Sequence, residues 1–157
     1  MPDQKPPRLS SGERDVLQAL LQYQRESFLR KVEGTDDKAA RTSAVESGTN
    51  LLWLVKHLTR AEGLWIVRRF SGEDVEPASD AVGPGDTVAG AVDAYREAWS
   101  RTERAIDGAA LEESCRSVGD GAPVSLRWVL MHLLEETARH AGQADILREQ
   151  IDGSTGR

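Results

Sequence analysis

The chain has 157 residues, 39% hydrophobic and 29% charged, which suits one globular domain able to bury a core without disulfides. Its formal charge of −6, with 20 basic residues dispersed among 26 acidic ones, excludes a polybasic surface for nucleic acid or an anionic membrane. No apolar run approaches the roughly 20 residues of a membrane span, no secretion-signal pattern opens the chain, and the single Cys115 has no internal disulfide partner. The expected location is therefore cytoplasmic.

Residues 1–10 are Pro-rich and polar and are expected to form a flexible lead-in to a domain over 11–152, with 153–157 as a flexible tail. The first predicted helix covers 11–33. Ser11 is its expected cap, Glu13 and Asp15 suit the positive end of the helix dipole, and Gly34 can close it. Val16, Leu17, Leu20, Leu21, Phe28, Leu29 and Val32 recur at helical spacing.

A polar connection, 35–46, leads to a second helix over 47–70. There Leu51, Val55, Leu58, Glu62 and Trp65 form one stripe, and Leu54, His57, Ala61 and Leu64 its neighbour. The segment SGEDVEPASDAVGPGD reads as a long loop. A third helix, 86–106, has Asp86 as its expected cap and Val88, Val92, Tyr95, Trp99 and Ile106 on its inner face. After a Gly-rich loop, 107–124, the fourth helix runs over 125–151 from a Ser125 cap to Gly153. Nothing reads as a strand. The expected fold is all-α, a four-helix bundle.

The three histidines, His57, His132 and His140, all fall on predicted helices. His132, Glu136 and His140 stand at successive i, i+4 steps, each turning about 40° and rising about 6 Å. Glu136 can therefore share an ion with either histidine. It cannot easily share one with both, because they stand about 12 Å apart along the axis and a ligand atom must lie about 2.0–2.2 Å from the metal.

Leu126, Val129, Leu133, Ala141, Ala144, Leu147 and Ile151 mark the buried side of the fourth helix. Glu136 and His140 lie near that stripe, with His132 toward the flank. A Glu so placed needs a partner, and a metal shared with His140 and with His57 from the second helix would supply one. The competing reading is a simple hydrogen-bonded Glu–His pair. For Glu62, a helix–helix or outer-shell contact competes with a salt bridge to Arg139 or another base. The four tryptophans read first as core, with a substrate pocket or dimer interface as alternatives. Cys115, beside Glu112 and Glu113, reads as structural, since acidic neighbours weaken a thiol nucleophile.

LLWLVKHLTRAEGLW (51–65) and SLRWVLMHLLEETARHAGQADILRE (125–149) resemble the DinB-like superfamily, near its mycothiol-dependent maleylpyruvate isomerase and mycothiol S-transferase types. The resemblance extends over 11–152. It implies a four-helix bundle with a divalent metal held by His57, Glu136 and His140. Many members carry His at the Glu136 position, and the Glu version resembles the maleylpyruvate isomerase type.

Two histidines and a glutamate leave a coordination position open, the catalytic pattern. A thiol arriving there would lose its proton, so no catalytic residue beyond the ligands is expected. The expected function is a metal-dependent thiol S-transferase or thiol-dependent isomerase, with mycothiol as cosubstrate. Zn suits the ligands best, with Ni and Fe also compatible. The expected partners are a small-molecule thiol and an electrophile, in a homodimer. The alternative is a non-catalytic dimeric bundle carrying a vestigial or adventitious metal site.

Overall fold

A computed structural model describes residues 4–119 and 121–155. Positions 1–3 and 156–157 of the expected terminal segments, and 120 of the expected 107–124 loop, lie outside the described residues. The elements are α1 (Glu13–Val32), a single turn α2 (Asp37–Ala40), α3 (Leu51–Glu62) continued by a π-helical segment (Gly63–Phe70), α4 (Val88–Ile106) and α5 (Leu126–Asp152). Among the described residues the only β pairing is an isolated bridge between Ser114 and Ser125. The four long helices form the expected bundle, with α1 packed mainly on α5 and α3 on α4, while α3 also meets α5.

Local chemistry moves several helix starts inward from their expected positions. The first helix begins at Glu13, and neither Ser11 nor Gly12 caps it with a side chain. Glu13 and Asp15 remain to offset the exposed N–H groups. The second begins at Leu51, where the Asn50 side chain accepts from Trp53 N–H, because Gly48 at φ +78° turns the chain just before it. The cap of α4 is Thr87 rather than Asp86. The Asp86 carboxylate is occupied by Lys56 and by Gly83 N–H, and the Lys56 ammonium holds its pKa below the ordinary carboxylate value. Ser125 caps α5 as expected, and Gly153 ends it in the left-handed region at φ +74°. The 35–46 connection contains α2 because the Asp36 carboxylate accepts from Lys38 and Ala39 N–H.

The π-helical segment changes which residues enter the core. Ser71 N–H bonds back five residues to Ile66 C=O, so each turn holds more residues than an α-turn and the buried stripe slips. An uninterrupted α-helix would bury Leu64 and Trp65. Here Ile66, Val67 and Phe70 are buried, and Leu64 and Trp65 stand partly exposed.

Two apolar clusters fill the bundle, and the helices cross from one to the other through buried polar residues. The first contains Phe28, Leu58, Trp99 and Ala141. The second contains Leu21, Ile66, Ile106 and Leu133. Arg25 of α1, Glu62 of α3, Thr102 of α4 and Thr137 of α5 are among these buried polar residues. Arg25 donates to both Glu62 carboxylate oxygens at 2.7 Å, and Thr102 Oγ1 donates to the same carboxylate at 2.8 Å. The partner of Glu62 is thus Arg25 and not Arg139, which pairs with Glu135 at the surface. Burial and the Glu62 charge push the pKa of neighbouring Tyr95 above its ordinary value.

Removing one member of this pair strands the other charge in the core. Arg25→Ala or Glu62→Ala should each cost about 3–5 kcal/mol in urea unfolding. Thr102→Val, which removes one hydrogen bond, should cost only about 1–3 kcal/mol.

Candidate metal centre

The expected ligand residues come together across the α3–α5 contact. One ligand atom from each of His57, Glu136 and His140 lies within 4.8 Å of the others. The Glu136 carboxylate is the common point: its Oε2 is 3.2 Å from His140 Nε2 and 3.7 Å from His57 Nε2. Tetrahedral ligands about 2.1 Å from an ion stand about 3.4 Å apart, close to the two separations from Glu136. His140 is only 7% exposed, and its Nε2 has no hydrogen-bond partner. A buried polar atom in that state is costly, and a metal would satisfy it.

The other ring nitrogen of each histidine is held by an oxygen. His140 Nδ1 is 2.7 Å from Gln143 Oε1, one turn along α5. His57 Nδ1 is 3.4 Å from Asp80 Oδ2, which arrives from the segment between α3 and α4. With Nδ1 donating to these oxygens, a neutral imidazole at either position would present its Nε2 lone pair toward Glu136, as metal-ligating histidines require. Trp53 stacks on His57 with ring centroids 4.8 Å apart and meets His140 edge-on at 6.3 Å, walling the site on one side.

His132 is not part of this group. One turn before Glu136, it stacks on Trp128 at 4.9 Å and meets Trp65 at 4.8 Å. Arg69 lies over the Trp65 ring, so His132 belongs to an aromatic flank. Of the four tryptophans, only Trp99 is a buried core residue. Trp53 and Trp65 are half-buried and Trp128 is exposed.

Cys115 sits in the second apolar cluster. Burial raises its thiol pKa, partly opposed by Arg69, so desolvation and not its acidic neighbours is the main cause of the shift. Glu112 and Glu113 face Arg127 and Arg116 instead.

Sequence reasoning missed Asp80, Gln143 and the Trp53 stack. The last two were readable as i, i+3 and i, i+4 neighbours of the histidines. Asp80 carries no such signal, since it reaches His57 from 23 residues away.

The family model for mycothiol S-transferase matches residues 16–153. The chain belongs to the mycothiol S-transferase family. Its fold is similar to a crystal structure of a DinB-like protein from Bacillus cereus ATCC 10987, at 20% identity and a TM-score of 0.68, covering 85% of this chain and 91% of that one. It is also similar to the crystal structure of a conserved protein from Enterococcus faecalis, at 16% identity and a TM-score of 0.64, covering 92% of this chain and all of that one. No curated protein sequence matches it significantly.

With its raised pKa, Cys115 is expected to have a smaller thiolate fraction than a free thiol at any pH near neutrality. Alkylation by iodoacetamide at pH 8 should be at least about tenfold slower in the native protein than in urea. Equal rates would contradict the burial assigned to this thiol.

Proposed function

We propose that this family member is a divalent-metal-dependent thiol S-transferase. His57, Glu136 and His140 are the ligands, zinc the preferred metal, and mycothiol the thiol, in a cytoplasmic setting. The observation that carries the reading is the convergence of His57, Glu136 and the buried His140, whose Nε2 lies 3.2 Å from the Glu136 carboxylate without a hydrogen bond to it, in a chain of this family. A divalent cation bound by three protein ligands would lower the pKa of an arriving thiol and so supply the nucleophile.

The chain's own residues set the conditions for that chemistry. Gln143 and Asp80 hold the imidazoles so that Nε2 faces inward. The Glu136 carboxylate reduces the charge of a divalent site to about +1, which still favours a thiolate over a neutral thiol. Trp53 covers one side and limits water there. Cys115 lies in the second apolar cluster with a raised pKa, so the attacking sulfur is assigned to the cosubstrate. A thiol-dependent isomerisation would use the same nucleophile on a different electrophile.

Protein loaded with zinc should consume mycothiol in the presence of 1-chloro-2,4-dinitrobenzene or a bromobimane. Chelation, or His140→Ala, should reduce the rate by at least about 100-fold. An unchanged rate in chelator or in the His140→Ala variant would overturn the proposal.

A further inference from the structure

The segment between α3 and α4 runs back along α3 and is tied to it at three places. Arg60 Nη1 donates to Ala78 C=O at 3.4 Å, His57 faces Asp80, and Lys56 pairs with Asp86. Reading down α3 from 60 to 57 to 56 therefore reads up the segment from 78 to 80 to 86. Around Asp80 the backbone is fixed by its own turns: Ser79 Oγ accepts from Ala81 N–H, and Asp86 Oδ2 accepts from Gly83 N–H. Arg41 also donates to Gly83 C=O.

Two of these ties are ordinary anchors, and the middle one ends on a ligand residue. Asp80 is only partly exposed, and its carboxylate, when ionised, can only accept a hydrogen bond. The contact therefore selects the tautomer of His57 that carries its proton on Nδ1. That tautomer presents the Nε2 lone pair toward Glu136 and His140. The two histidines differ in how this is done. His140 is oriented by Gln143 of its own helix, which is neutral and always in register. His57 is oriented by a charged residue on a non-helical segment that must be seated for the contact to exist.

We propose that Asp80 is a positioning residue that makes His57 competent to bind metal, and that it couples metal retention to seating of the 72–83 segment on α3. The proposal rests on the metal-centre reading given above. By linkage, the dependence runs both ways: seating the segment strengthens metal binding, and metal binding stabilises the seated segment.

The test measures zinc affinity of the full-length protein by competition with a chromophoric chelator, alongside amide exchange over 72–83 with and without zinc. Asp80→Ala should weaken zinc binding about 10–100-fold. Asp80→Asn keeps an acceptor for Nδ1–H and should recover most of that loss, which mere loosening of the segment would not produce. Zinc should slow exchange over 72–83 in the wild type and in Asp80→Asn, but not in Asp80→Ala. Asp80 lies outside the helices, so thermal melts of the apo variants should match the wild type. Zinc affinity of Asp80→Ala within about twofold of wild type, or exchange over 72–83 that ignores zinc, would overturn the coupling while leaving the metal centre standing. A wild type that binds no zinc, or a His140→Ala variant that binds it as tightly as wild type, would overturn both.

Discussion

Arg25 and Glu62 are 3% and 1% exposed, and their paired hydrogen bonds join α1 to α3 in the middle of the bundle. Thr102 adds α4 to the same carboxylate. Ions withdrawn this far from water are stable only when every polar atom is well placed, so this contact tolerates little sliding of one helix on another. An apolar layer of similar volume could serve stability as well. What the ion pair adds is a register: Arg25 can meet both oxygens of Glu62 at only one relative height of α1 and α3.

On α5, Glu136 and His140 lie immediately before and one turn after the buried Thr137. On α3, His57 precedes Leu58 and stands a little over one turn before Glu62. The buried ion pair sets α3 against α1 and α4, and the packing of α3 on α5 brings His57 to the two α5 residues. Beyond Glu62 the helix changes to π geometry, which turns Ile66, Val67 and Phe70 inward and leaves Trp65 beside His132 and Trp128. The metal group and the aromatic flank are consequently separate neighbourhoods on the same pair of helices.

The bundle was legible because its inner faces are periodic. Val88, Val92, Tyr95, Trp99 and Ile106 all lie buried as their spacing predicts, and so do Leu126, Val129, Leu133, Ala141, Ala144 and Leu147. One helical turn allowed Glu136 to pair with either His132 or His140, the axial rise excluded both together, and the apolar stripe with the family resemblance favoured His140. What escaped was set by contacts distant in sequence or by altered helix geometry. Nothing in the local pattern identifies Arg25 as the partner of Glu62, or Asp80 as the partner of His57. The slip in the stripe after Glu62 could not be read from an α-helical period, because the segment does not have one. The expected Asp86 cap gave way to Thr87 because Lys56 and Gly83 N–H occupy its carboxylate, and at the start of α1 no side chain caps in place of Ser11.

In the proposed mechanism, His57, Glu136 and His140 jointly hold a divalent ion that receives a thiol. X-ray absorption at the zinc edge of the loaded protein, before and after addition of mycothiol, tests it most directly. The account predicts two imidazole nitrogens and carboxylate oxygen at about 2.0–2.2 Å, with a sulfur scatterer appearing at about 2.3 Å when the thiol is added. A spectrum without imidazole scattering, or one that mycothiol leaves unchanged, would contradict it.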